Sequence, residues 1–176
     1  MAAAAPGALP LLQLALDALF EARDPATGTL TCAAYDAMGG LPGVVERRAE
    51  AALAGLDAAA QAALPRVLPA LVDVTDEGQV VSRPAPLSRI APAPDAARLV
   101  QAFVDARLLV ADTRGDEPGV RVAHGSLLSG WPRARTLLAA DREVLRVRAR
   151  IEAACRRWLA EGRHPDFLLA PGRPLA

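Results

Sequence analysis

The sequence predicts a mostly α-helical protein with a small β wing, an α+β fold class, and three observations support this prediction. Hydrophobic residues make up 52% of the 176 residues but aromatic residues only 3%, so the apolar content is mainly Ala, Leu and Val, a composition typical of helices. Apolar residues recur at helical spacing along most of the chain. Only a few short segments have the pattern of strands.

Residues 1–56 are predicted to form a three-helix subdomain. The first helix covers residues 10–22, with one apolar stripe that we expect to be buried. That stripe consists of Leu12, Leu16, Leu19 and Phe20. Thr31 is placed to cap a short second helix that ends at Gly39 and Gly40. The third helix has core-facing residues at Val45, Ala49, Leu53 and Leu56.

Residues 57–140 are predicted to form a winged-helix domain. The predicted elements are a helical segment over 57–71, short strands over 71–74 and 79–83, a helical turn over 87–90, a helix over 95–107 and hairpin strands over 108–112 and 120–123. Pro65 and Pro69 should interrupt the first of these, because proline removes a backbone donor. Helices followed by a two-stranded wing are the outline of a winged helix.

Residues 141–176 are predicted to be a C-terminal helical extension. A long helix should cover residues 141–161, with Ile151, Cys155, Trp158 and Leu159 on one face. Trp131 and Trp158 are expected to anchor the core. His164 is expected in an exposed loop.

His124 is the main candidate for chemistry, because it lies where an alternating apolar run ends and an amphipathic helix begins. Rigid elements on both sides would present its ring nitrogens at the edge of the domain. A lone histidine at such a junction is more often a packing residue, so this position alone leaves both interpretations open.

The composition argues against autonomous catalysis. The net charge is zero and all 20 basic residues are arginine, so a Walker A lysine and a Schiff-base lysine are both missing. Asparagine, a common oxyanion-hole side chain, is also absent. We therefore expect a chain that is not an enzyme, with no catalytic residues and no metal site.

Cysteine usage and hydropathy point to the cytoplasm. Cys32 and Cys155 are far apart and have no metal-ligand spacing, so the sequence predicts two free, buried thiols in a reducing compartment. The apolar N-terminus has no basic flank and carries Gln13 and Asp17, which argues against a signal peptide. No apolar run reaches the roughly 18 residues of a membrane span.

A winged helix is often a DNA reader, but the charges here disfavour that function. The predicted recognition helix carries Asp95, Arg98, Asp105 and Arg107, and these charges cancel. The predicted wing carries Asp112, Arg114, Asp116, Glu117 and Arg121 and is close to neutral. Duplex binding needs a basic footprint, so nucleic acid is an unlikely partner.

Three segments together resemble STAND-class NTPases, most closely the bacterial novel STAND group that is often fused to WD-type propellers. GALPLLQLAL (7–16) resembles the Gly-x-Pro element that opens the last part of their lid. TLTCAAYDAMGGLPGVVERRAEAAL (29–53) resembles the lid itself, and the segment from VAHGSLLSGWPRAR (122–135) to residue 169 resembles the histidine-bearing end of their winged helix and the helices beyond. The resemblance covers nearly the whole chain.

The resemblance implies roles for three residues. In this family the motif proline lies against adenine, and the winged-helix histidine approaches the β-phosphate of bound ADP. By resemblance these roles fall on Pro10, with Gly7 permitting the turn, and on His124. ADP or ATP would be a ligand only together with a P-loop domain, and the chain alone should have no cofactor.

The chain also departs from the family pattern. The P-loop, Walker B acid and sensor region would precede residue 1, and Gly125 follows the histidine where family members often have an acid. We therefore expect a non-catalytic nucleotide-sensing module, a fragment without its P-loop core, whose partners are a P-loop domain in cis or in trans and a protein effector. The alternatives are a winged-helix DNA-binding regulator and a ligand-free helical adaptor.

Overall fold

The computed structural model describes residues 8–75, 77–113 and 117–168, and it confirms a mostly helical fold with a small β component. The helices are α1 (Ala8–Glu21), α2 (Cys32–Ala37), α3 (Gly40–Ala54), α4 (Ala58–Gln61), α5 (Leu64–Ala70), α6 (Leu87–Ile90), α7 (Pro94–Asp105), α8 (Ser126–Gly130), α9 (Pro132–Ala140) and α10 (Arg142–Ala160). The strands are β1 (Val72–Val74), β2 (Val80–Ser82), β3 (Ala85–Pro86), β4 (Leu109–Ala111) and β5 (Gly119–Val122). A 3₁₀ turn follows at Pro165–Phe167.

The strands form two small antiparallel sheets. β1 and β2 make a hairpin in which Val72 faces Ser82. The second sheet has the order β3-β5-β4, with Leu109 opposite Val122. The sequence did not predict β3, because it is two residues long and lies in a proline-rich segment.

Glycine is required where β5 enters this second sheet. A Cβ atom added at Gly119 would lie 2.8 Å from the carbonyl oxygens of both Ala85 and Asp112. Such a distance is too short for a carbon and an oxygen, so the strands on either side of β5 can approach only a residue without a side chain.

The predicted caps of the short helices are confirmed. The Thr31 hydroxyl accepts a hydrogen bond of 3.1 Å from the Ala34 amide at the start of α2. Gly39 follows that helix with φ +70°, a left-handed conformation that glycine adopts without strain. The predicted interruption of the segment 57–71 is also present, although the break lies between α4 and α5, before Pro65, and Pro69 is tolerated in the last turn.

One hydrophobic cluster extends from α1 to α10. Its largest fully buried side chain is Trp131, whose ring centroid lies 6.0 Å from that of Phe103 on α7. The core positions predicted for α3 and α7 are buried at Val45, Ala49, Leu53, Leu99, Val100 and Phe103. The division of the chain at residues 56 and 140 stays a prediction.

The predicted buried stripe of α1 is wrong at three of its four positions, whereas Leu19 is partly buried against the core. Leu12, Leu16 and Phe20 are 49%, 47% and 59% exposed. The helix packs on α3 through a different face, on which Leu14 and Ala15 are buried. Periodicity identified the helix correctly but could not choose between two apolar faces.

Two further expectations about burial are also wrong. Trp158 on α10 is only half-buried and is not part of the core cluster. Cys32 and Cys155 are both exposed free thiols, because α2 and the outer side of α10 lie at the surface. No helix in the described ranges combines the length and the apolar content needed to cross a membrane.

Candidate functional site

His124 lies in a short rigid connection between β5 and α8. The Ala123 amide before it donates to the Leu108 carbonyl, and its own carbonyl accepts from the Leu127 amide at 3.0 Å. His124 is buried, with only 5% of its surface exposed. Strand pairing on one side and a helical turn on the other therefore fix the imidazole in place.

The imidazole of His124 has an unused hydrogen-bonding atom. Its Nδ1 is buried and has no hydrogen-bond partner among the described residues. Burial lowers the pKa of His124 below its usual value, while a hydrogen bond from the ring to the Arg107 backbone acts in the opposite direction. The ring is therefore neutral near pH 7. Buried polar atoms in proteins nearly always have a hydrogen-bond partner, so the unpartnered Nδ1 indicates a role beyond packing.

A cavity of about 370 Å³ opens beside this ring. Its walls come from α1, α7, both strands of the β4–β5 hairpin and the turn before β4. Gln13 and Leu14 line it from α1, and Arg107 and Arg121 line it from the hairpin side. The cavity therefore joins the N-terminal helix to the strand-to-helix junction that carries His124.

Two arginines give this cavity positive charge, each balanced by an acid. Arg107 adopts a left-handed conformation with φ +58°, and its Nη1 lies 3.2 Å from a carboxylate oxygen of Asp17 on α1. Arg121 Nε lies 3.1 Å from Asp112. Both pairs are partly exposed, so each contributes little to the stability of the fold.

Of the three predicted binding positions, the structure describes Pro10 and His124. Pro10 lies in the first turn of α1, three and four residues before Gln13 and Leu14, which line the cavity beside His124. That spacing puts the three positions on one side of the helix. Gly7 lies outside the described residues.

A second polar cluster fixes the helices that follow His124. Trp131 Nε1 donates to Glu50 on α3 at 2.8 Å, and Arg133 makes two bonds of 3.0 Å to the same carboxylate. The bond from Arg133 holds the pKa of Glu50 below its usual value. No local pattern predicts this contact, which joins the junction between α8 and α9 to α3.

The described arginines of the predicted recognition helix and wing form ion pairs within the protein. Arg98 on α7 pairs with Asp57 at 3.0 Å, and Asp95 pairs with Arg66 at 2.6 Å. Arg107 and Arg121 are paired as described above. Arg114 and Asp116, part of the predicted wing, lie outside the described residues. The part of the chain that the structure describes thus offers no unbalanced basic face on α7 or β5 for phosphates of a duplex.

No group of three or more potential metal ligands occurs among the described residues. No curated protein and no solved structure matches the chain. The family model described as Novel STAND NTPase 1 matches residues 1–166, which is most of the sequence. The chain therefore belongs to the Novel STAND NTPase 1 family.

Proposed function

We propose that this chain is a non-catalytic regulatory module that senses the nucleotide bound to a P-loop domain, present in the same polypeptide or in a separate one. One observation carries the proposal: His124 is buried, its Nδ1 has no partner among the described residues, and it adjoins a cavity that α1 helps to form. Membership of the family supports the same role.

The sensing element is a winged helix. Its strand order β3-β5-β4, with α6 and α7 between β3 and β4, supports this interpretation. His124 lies two residues after the end of β5, at the base of the wing. A contact made by its ring would be transmitted to α8 and, through Trp131 and Glu50, to α3.

ADP or ATP fits the donors that this site offers. When bound, ADP supplies phosphate oxygens that accept hydrogen bonds. A protonated imidazole has an N–H group at both ring nitrogens, so Nδ1 can donate such a bond while the ring keeps its hydrogen bond to the Arg107 backbone. Arg107 and Arg121 also line the cavity, and each is paired with an aspartate. Exchange of ADP for ATP would bias the winged helix between two positions.

The exposed stripe of α1 is the surface on which the P-loop domain would dock. Leu12, Leu16 and Phe20 are spaced by four residues and form one apolar strip beside the cavity side of the helix. A strip of this kind on an otherwise folded helix marks an interface. Docking there would bring a nucleotide on the P-loop domain towards Pro10 and His124.

The two histidines of the chain allow a direct test by nuclear magnetic resonance. We expect millimolar pyrophosphate or ADP to shift the ring signals of His124 and to raise its pKa, because a nearby anion favours imidazolium. His164 serves as the internal control, since its side chain is exposed and lies at the far end of the chain. Equal shifts for both histidines, or a shift confined to His164, would contradict a phosphate site.

A second measurement applies when a P-loop domain is present. We expect His124→Ala to speed ADP release and weaken its retention by about tenfold or more, the value of a hydrogen bond to a charged group. His164→Ala should leave retention unchanged. ATP turnover by this chain alone would contradict the proposal and identify the chain as an enzyme. Salt-dependent binding of duplex DNA in a mobility-shift assay would contradict it and identify a DNA-binding regulator.

A further inference from the structure

The cavity beside His124 has basic residues in its wall, and no acid is present among the described residues that form it. Its ionisable lining residues are Arg107, Arg121 and His124. The acids that pair with the two arginines, Asp17 and Asp112, are not part of the wall. Each arginine therefore borders the cavity and contacts a carboxylate outside it.

The two ion pairs differ in what they connect. Arg121 lies on β5 and Asp112 directly follows β4, so this pair stays within one hairpin. Arg107 precedes β4 whereas Asp17 lies on α1, so their contact of 3.2 Å joins two elements that border the cavity. Asp17 comes three residues after Leu14, which lines the cavity, and therefore lies on the same side of α1. Its carboxylate is thus at the edge of the cavity.

Arg107 occupies a backbone position that favours glycine. It follows α7 with φ +58°, in the left-handed region, and its amide donates to the Val104 carbonyl at 2.9 Å. Arg48 on α3 holds this turn by donating to the Ala106 carbonyl at 3.0 Å. A side chain in the left-handed region costs stability relative to glycine, and an exposed ion pair recovers little of it. Because the turn does not need an arginine, its presence indicates a function for the side chain.

We propose that Arg107 binds phosphate in this cavity and that Asp17 competes with the phosphate for it. This role rests on the proposed function, because it requires a phosphate beside His124. The Arg107 backbone receives a hydrogen bond from the His124 ring, so the two residues are adjacent. In the chain alone the Asp17 carboxylate holds Arg107 and joins α1 to the turn before β4. A phosphate that takes Arg107 would break this link between α1 and the winged helix.

The test is a titration of the full chain with pyrophosphate at constant pH and ionic strength, followed by the ring signals of His124. Asp17→Asn should tighten binding about two- to fivefold, because it removes a competing carboxylate whose exposed ion pair has this strength. Arg107→Gly should weaken binding about tenfold, because a charge-assisted hydrogen bond is lost. Glycine suits the left-handed backbone, so this variant should keep the melting temperature of the wild type.

Asp57→Asn is the matched control for the change in net charge. Asp57 pairs with Arg98 at 3.0 Å, and both side chains are about half exposed, as in the pair of Asp17 and Arg107. Asparagine can also keep the hydrogen bond that Asp57 accepts from the Ala60 amide at the start of α4. This variant should leave the affinity for pyrophosphate unchanged.

The double variant Asp17→Asn/Arg107→Gly completes a mutant cycle. Removal of the Asp17 carboxylate should give no gain in affinity when Arg107 is absent. Equal gains in Asp17→Asn and Asp57→Asn, or a gain that persists without Arg107, would overturn the competition. Pyrophosphate binding that none of the variants alters would overturn the role of Arg107 and leave the proposed function intact. No response of His124 in any variant would overturn both.

Discussion

His124 combines a buried position with a ring nitrogen that has no hydrogen-bond partner among the described residues. Burying a polar atom without a hydrogen bond costs stability, so this arrangement favours a role other than packing. The position had been predicted from the strand-to-helix junction alone, whereas its burial could only come from the fold.

The lowered pKa of His124 makes stability depend on pH in a defined direction. Since the folded-state pKa lies below the ordinary histidine value of about 6.5, the unfolded chain binds more protons just below that pH. Stability should be full above this value and should fall as the pH decreases towards the lowered pKa. Urea unfolding between about pH 7 and pH 5.5 measures this, in a range above the carboxylate titrations.

Two variants show whether His124 causes this pH dependence of stability. His124→Gln should flatten the pH dependence in that range, because glutamine does not titrate. His164→Gln should keep the wild-type slope. A slope that persists in His124→Gln would assign the pH dependence to another group.

Sequence reasoning found one residue of the site and missed the residues that organise it. Arg107 has a positive φ angle that nothing in its local sequence signals. Glu50 bonds to Trp131 across 81 positions of sequence, so no spacing rule could have paired them. Such contacts follow from how helices pack and not from local pattern.

At the scale of elements, helix and strand positions could be predicted well, but the side that each helix buries could not always be. α3 and α7 have one apolar face each, and that face is buried as predicted. α1 has apolar residues on two faces, and packing on α3 uses Leu14 and Ala15 instead of the expected stripe. The extra apolar face is explained if α1 meets a second partner.

Close contact within the three-stranded sheet predicts that any side chain at Gly119 lowers the stability of the protein. Gly119→Ala should destabilise the protein by about 1–3 kcal/mol, because the new methyl group would push on backbone oxygens on both sides. Gly125→Ala is the control, since no heavy atom lies within 4 Å of its added Cβ and its φ of −57° suits alanine. Thermal unfolding of the two variants gives the comparison; equal melting temperatures would contradict the crowding at Gly119.

At the scale of the whole molecule, α10 is attached by polar contacts more than by apolar burial. Only Leu145 of its 19 residues is buried, while Arg148 donates a bond of 2.8 Å to the Pro69 carbonyl and another to the Val72 carbonyl. Burial lowers the pKa of Arg148 below its usual value. α10 should therefore detach from the body before the main core unfolds.

Removal of the Arg148 guanidinium tests this order of unfolding. Arg148→Met keeps an apolar stem but loses the donors, and we expect a loss of about 1.5–3 kcal/mol in the local stability of α10. Hydrogen exchange of the α10 amides measures it, with α3 amides as the reference. Arg150→Met removes an exposed arginine from the same helix and should change exchange little. Equal exchange rates in both variants would show that the Arg148 hydrogen bonds do not hold α10 on the body of the protein.

The two exposed thiols offer a means of following such movements in the native sequence. Cys32 lies at the start of α2 and Cys155 on the outer side of α10, so a donor and an acceptor dye can be attached without adding cysteines. Because the chain contains no lysine, amine-reactive reagents would leave its side chains unlabelled and provide a third, orthogonal label at the N-terminus. Single-molecule energy transfer between the dyes would then report when α10 separates from the N-terminal helices.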